Sequence, residues 1–294
     1  MRIVLLALAV GTLGLVSGVA QPGAVRLGVF GDLAGPAAFL GQALLDGTTL
    51  AVEQINAQGG ISGRQLELVV RDASTSDRAV QAVEELIFTE EVLLLFGGTN
   101  TTPTAATLDT VEESGVPLYI PVATGDILTN PWRHNVFRAS ISDAFTPFLL
   151  VRYIADTFAG RRVGLMFEST GYGTGGASRV RLGLRTFNLA LVAEVSYNQG
   201  DRNFVAQIQT LAQAGVEVLV FYGLTPEAIP ALLTAQQLGF LPTVVASAGV
   251  VAGLPRDFFA LAAAFNLVAP VFVVNPPQVG QPQFDNPQLA ALRQ

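Results

Sequence analysis

Two stretches of this 294-residue chain carry residue types and spacing suited to a binding site. The first is Gly97-Gly98-Thr99-Asn100-Thr101-Thr102-Pro103, between an apolar run and a helical pattern. Hydroxyls beside the free backbone N–H groups of a helix start can receive an anion or a carboxylate. The same residues also make an ordinary N-cap, with Thr101 or Thr102 as the cap and Pro103 at the first helical position. The second stretch is Gly171-x-Gly173-x-x-Gly176, which matches the dinucleotide fingerprint. It follows a strand pattern, precedes a helix pattern and has Glu194 about where a ribose-binding acid belongs. Against a dinucleotide, Glu168-Ser169-Thr170 lengthen the loop just where the fingerprint needs a tight turn.

Other chemistry is scarce. With one histidine, His134, and no cysteine, the chain offers no metal-ligand spacing, so neither a metal nor a cofactor is expected. A catalytic triad would have to use His134, and no nucleophile-elbow pattern accompanies it, so the reading is not that of an enzyme. A net charge of -7 argues against nucleic acid, which needs clustered Lys and Arg.

Positioning falls to an alternation of short apolar runs and amphipathic stretches. Strands are predicted over 25–30, 65–71, 92–96 and 117–120, with helices over 39–58, 76–89 and 103–114 between them. After His134 the alternation restarts: helices over 143–157, 173–187, 203–214 and 226–238, strands over 162–167, 191–197, 216–221 and 243–246. Strands alternating with helices imply right-handed crossovers and mostly parallel sheets. Ligands then bind beyond the carboxyl ends of the strands, where Thr99–Thr102 and Pro121-Val122-Ala123-Thr124 both fall.

Ahead of this body, Arg2 and the apolar run Ile3–Val16 lead into Ser17-Gly18-Val19-Ala20, the pattern of a signal peptide over residues 1–20. A retained anchor is the alternative, because the run is nearly long enough to span a bilayer. The first reading predicts a periplasmic or otherwise extracytoplasmic protein.

An ordered series of segments resembles the leucine/isoleucine/valine-binding protein family, the type I periplasmic solute-binding proteins of ABC transporters. It comprises Leu33-Ala34-Gly35-Pro36, Gly41, Gly47, Leu50–Asp72, the Gly97–Thr102 loop, Pro121–Thr124 and Val136-Phe137-Arg138. Ile55-Asn56-Ala57-x-Gly59-Gly60-Ile61-x-Gly63 is its most specific part. The resemblance implies an α/β protein of two doubly wound, mostly parallel αβα lobes joined by hinge strands and closing on a small molecule. It sets the first lobe at residues 21–137, the second at 138–268 and a return segment toward the first at 269–294. Family members continue beyond that point. If the chain is complete, the first lobe is incomplete at its C-terminus and exposes apolar surface.

By the same resemblance, Thr101 takes the place of the loop serine that binds the ligand carboxylate, with Thr102 beside it. Thr124 touches carboxylate and amine, Val122 presents its backbone with Ala123 between the two, and Tyr172 is the cleft tyrosine of the second lobe. Leu40 and Leu224 add apolar walls. Where amino-acid binders place a glutamate against the ligand ammonium, this chain has Ala248. A buried ammonium without a carboxylate partner is costly. Unless Asp126 or Glu168 reaches in, a small apolar carboxylate or neutral amide is favoured over a branched-chain amino acid. The function implied is the solute-binding subunit of an importer, a monomer partnered by a membrane permease. A ligand-sensing regulatory protein and an exported NAD-dependent oxidoreductase are the alternatives.

Overall fold

A computed structural model describes residues 23–253 and the backbone strand Leu267–Val268. The signal-peptide reading and the return segment 269–294 lie outside the described residues.

The chain opens with strand β1 (Val25–Gly31), helix α1 (Ala38–Ala57), β2 (Leu66–Asp72) and α2 (Ser76–Glu84). One π-helical turn, Glu85–Thr89, prolongs α2. Next come β3 (Leu94–Gly97), α3 (Thr101–Ala106), α4 (Leu108–Ser114), β4 (Leu118–Ile120) and β5 (Val136–Arg138). These strands form a parallel sheet of order β2-β1-β3-β4-β5.

A crossing segment, residues 139–145, leads to α5 (Thr146–Thr157), β6 (Val163–Glu168), α6 (Gly171–Thr186) and β7 (Leu191–Tyr197). Then follow α7 (Val205–Gln213), β8 (Val218–Tyr222), α8 (Thr225–Gln237), β9 (Thr243–Ala246), α9 (Ala248–Ala252) and β10 (Leu267–Val268). The second sheet is also parallel, in the order β10-β9-β8-β6-β7.

Continuous apolar strands suit this arrangement, because both faces of each sheet carry helices. In β8 every residue is buried, and the pleat sends Val218, Val220 and Tyr222 toward α5 and α6 while Leu219 and Phe221 face α7 and α8. In the first sheet, α1 covers Val25, Leu27 and Leu66 on one face, while Val83 of α2 and Leu108 and Val111 of α4 pack on the other. Full burial of each such side chain contributes about 1.5–3 kcal/mol. The register Phe96–Tyr119–Phe137 sets three rings in a row across β3, β4 and β5, and Tyr119 and Phe137 are exposed.

Three local expectations need correction. The helix cap before Pro103 is Asn100, one residue earlier than the threonines, because Thr101 already has helical backbone. The predicted helix over 103–114 is two helices broken at Thr107, whose hydroxyl donates back to the Thr104 carbonyl at 2.8 Å. Helix α5 starts at Thr146 rather than at Asp143, which lies in the loop ahead of it.

A candidate ligand site between the two sheets

Loops at the carboxyl ends of both sheets enclose a cavity of about 220 Å³, lined mostly by apolar atoms. From the first sheet, the turn after β1 is held by Asp32. This buried carboxylate accepts the backbone N–H groups of Gly35 (2.5 Å) and Ala37 (3.1 Å) and the Asn100 amide (3.3 Å). The Asp32 N–H donates to the Thr99 hydroxyl at 2.8 Å. One side chain thus clamps the β1–α1 loop, which leads to Leu40, against the β3–α3 loop, which carries Thr101. Burial raises its carboxyl above the ordinary carboxylate range.

The β4 loop is fixed from below. Arg138 donates to the carbonyls of Thr124 (3.0 Å) and Gly125 (2.8 Å), and Ser140 donates to the Ala123 carbonyl at 2.9 Å. The Thr124 hydroxyl is thereby aimed at Asp143, to which it donates at 2.8 Å. Asp143 is 4% exposed and also accepts the hydroxyls of Tyr222 (2.8 Å) and Thr146 (3.1 Å). Burial pushes its carboxyl up; the three hydroxyls and Arg138 pull it down, and the net direction is upward. It is the one ionisable carboxylate among the cavity-lining residues.

The second lobe supplies Tyr172 from the first turn of α6, Leu224 ahead of α8, and Ser247, Ala248 and Gly249 at the start of α9. The Tyr172 and Tyr222 rings stand 4.9 Å apart, and burial raises the phenol of Tyr172 above its usual range. Ser247 ties the β8 and β9 ends together through the Gly223 backbone.

Of the residues singled out from sequence, Leu40, Thr101, Val122, Ala123, Thr124, Tyr172, Leu224 and Ala248 all line this cavity. Thr102 does not. Its hydroxyl accepts the Gly171 N–H at 2.8 Å, a bond from the first lobe to the second. The Thr101 hydroxyl is buried with no hydrogen-bond partner. Neither Asp126 nor Glu168 reaches in. Asp126 pairs with Arg179 at 2.5 Å on the cleft rim, and Glu168 accepts the hydroxyl of Thr170. Asp143 also lines the cavity and was not singled out from sequence, where it reads as the first residue of the predicted helix over 143–157.

The glycine fingerprint has a packing explanation. A Cβ at Gly173 would lie 2.0 Å from the Glu168 carbonyl, and one at Gly176 would lie 2.0 Å from the Tyr222 ring. Gly171 is occupied by Thr102, and Glu194 is paired with Arg181. His134 lies outside the cavity, against Trp132.

Residues 24–276 match the family model described as periplasmic binding protein. The chain belongs to that family. A leucine-, isoleucine-, valine-, threonine- and alanine-binding protein of Pseudomonas aeruginosa is 27% identical over 250 residues, covering 80% of this chain and 67% of the relative. The crystal structure of the branched-chain amino acid transporter substrate binding protein LivJ from Streptococcus pneumoniae, in complex with isoleucine, superposes with a TM-score of 0.71 at 27% identity. That match covers 77% of this chain and 64% of the other. A periplasmic binding protein type 1 from Bordetella pertussis gives a TM-score of 0.73 at 28% identity, over 78% and 63%. The chain thus spans about two thirds of the length of these family members. The α/β architecture of two lobes, each with a parallel sheet, matches these type I periplasmic binding protein structures.

Proposed function

We propose that this protein is the extracytoplasmic solute-binding subunit of an ABC importer, closing its two lobes on a small, largely apolar ligand and presenting it to a membrane permease. The observation that carries the reading is the lining of the cavity: apolar walls from both lobes around one buried carboxylate and one unpartnered hydroxyl. Such pockets bind by shape and burial and select with a few placed polar groups. At about 220 Å³ the cavity is smaller than the roughly 300–1,000 Å³ of sites for larger ligands, which fits a molecule of amino-acid size.

Asp143 changes the ligand chemistry inferred from Ala248. A buried carboxylate held by three hydroxyls is a partner for an ammonium, and the Thr101 hydroxyl is free to donate to a carboxylate. The ligand class proposed is therefore a branched-chain amino acid or a close analogue, in line with the ligands named for the Pseudomonas and Streptococcus relatives. The family consists of solute-binding proteins. Binding without turnover is the reading that the family supports.

Thermal melting with a panel of branched-chain amino acids, their 2-keto acids and short amides tests the reading. A ligand at about a hundredfold its dissociation constant adds roughly 2.7 kcal/mol. A shift with the amino acids supports the proposal; a melt that nothing in the panel moves contradicts it.

A further inference from the structure

The first turn of α1 and the end of α9 belong to different lobes and meet at the edge of the ligand cavity. Leu40 from α1 and Val251 and Ala252 from α9 line that cavity. Phe39, just before Leu40, and Gly253, just after Ala252, stand outside the lining and face each other. A Cβ added at Gly253 would lie 2.8 Å from Cε2 and 3.0 Å from Cδ2 of the Phe39 ring, and 2.9 Å from the Thr225 hydroxyl.

Space, rather than backbone conformation, accounts for this glycine. Gly253 has φ −105° and ψ 9°, values that residues with side chains also adopt. The half-buried Phe39 ring therefore rests on bare backbone, in a seat that a side chain at 253 would fill.

Ring and seat are each held from within their own lobe. In the first lobe, Asp32 accepts the N–H groups of Gly35 and Ala37 ahead of α1, and Gly41 leaves no room for a Cβ against the Asp32 carbonyl. The first turn of α1 is thus pressed onto the end of β1. In the second lobe, the buried Thr225 hydroxyl donates to the Val250 carbonyl at 2.7 Å and accepts the Gly253 N–H at 3.0 Å. That pins the end of the five-residue α9 to the start of α8.

We propose that Phe39 is a positioning residue for lobe closure: its ring seats on Gly253 as the lobes come together, seals the α1–α9 edge of the cavity and sets how long a ligand is held. Its effect on a ligand rests on the solute-binding reading. The contact itself joins protein groups alone, so it shifts the lobes toward the closed state with or without ligand. It also differs in kind from the Thr102–Gly171 bond and the Arg179–Asp126 pair, which cross between the lobes through polar groups. An apolar seat is not screened by salt, whereas a partly exposed ion pair is.

Energy transfer between two labels tests this without any ligand. The chain has no cysteine, so Glu53→Cys and Gln213→Cys, at exposed positions on α1 and α7, each take one fluorophore and report the distance between the lobes. Phe39→Ala should lower the ratio of closed to open molecules by roughly fivefold or more, the loss expected of an interface side chain that matters. Phe39→Leu keeps an apolar side chain in the same turn and should recover part of the ratio, which separates the effect from misfolding. Gly253→Ala should open the lobes when Phe39 is present and add little in the Phe39→Ala background. Its clash with Thr225 lies within the second lobe and is common to both backgrounds. Leucine release from the same proteins should speed up by the same factor at low and at high salt. Equal closed-to-open ratios in wild type and Phe39→Ala overturn the proposal, as does an effect of Gly253→Ala that is the same in both backgrounds. Absence of leucine binding to wild type would count against the solute-binding reading, while the label distances would still decide the role of Phe39.

Discussion

The Tyr222 hydroxyl donates to Asp143 at 2.8 Å, joining the end of a second-lobe strand to the segment that leaves the first lobe. The other oxygen of the same carboxylate takes the Thr124 hydroxyl at 2.8 Å. Asp143 is therefore oriented from both sides by protein groups alone, and its surroundings favour neutralisation by a proton or by a cation.

Glu168 should make stability depend on pH. Burial holds its carboxyl at about 7, against an ordinary 4.5, with the Thr170 hydroxyl opposing and Glu227 adding. The folded state then binds the extra proton, so the associated stability is full below pH 4.5 and is lost as pH rises through about 7. The shift is worth about 3 kcal/mol at 1.36 kcal/mol per unit. Urea unfolding of Glu168→Gln should show a flatter pH profile and a more stable protein than wild type above that window. An unchanged profile would remove Glu168 as its source.

Arg179→Gln should act on closure and leave folding intact. The Arg179–Asp126 pair is partly exposed and crosses the cleft rim, so about 0.2–1 kcal/mol is at stake. Ligand dissociation should speed up by no more than about fivefold at low salt. It should also lose the salt dependence of the wild type, because screening already weakens such a pair. Stopped-flow dissociation at two ionic strengths reads both effects.

Thr101→Val separates binding from stability. Its hydroxyl is buried with no hydrogen-bond partner in the protein, so removing it should leave the melting temperature of the ligand-free protein unchanged or raise it. Ligand affinity should fall by roughly tenfold, about the value of one hydrogen bond to a charged group. Destabilisation without loss of affinity would assign Thr101 to the fold alone.

Gly176→Ala tests the packing explanation for the glycine fingerprint. The new methyl would meet the Tyr222 ring, and overpacking of this kind costs about 1–3 kcal/mol. The variant should lose ligand affinity with stability, since Tyr222 orients Asp143. NAD should shift the melt of neither protein.

The alternation of strands and helices was legible because both sheets are parallel and buried on two faces, which writes apolar runs and amphipathic stretches plainly. Strands 191–197 and 243–246 agree with the structure to the residue. Short elements were not legible: α9 has five residues, too few for a periodic pattern. At the site, chain order alone could place Thr124 and Tyr172 at the ends of elements. The convergence of Asp143 with Thr124, Tyr222 and Thr146 depends on how the crossing segment folds back, and nothing in local sequence encodes that. Thr102 was misplaced for a related reason. A one-residue shift in the helix start turns the hydroxyl from the cavity to Gly171.

The most direct test of the account is calorimetric titration of leucine and of its 2-keto acid into wild type and Asp143→Asn. Wild type should bind leucine at one site, and more tightly as pH rises through the elevated Asp143 pKa, because the carboxylate form takes the ammonium. The asparagine variant should lose at least about thirtyfold in leucine affinity, the lower end of the cost of removing one partner of a buried charge pair. Its affinity for the keto acid should change little. Equal leucine affinity in the two proteins, or tight binding of the keto acid alone, would contradict an amine held by Asp143 between the lobes.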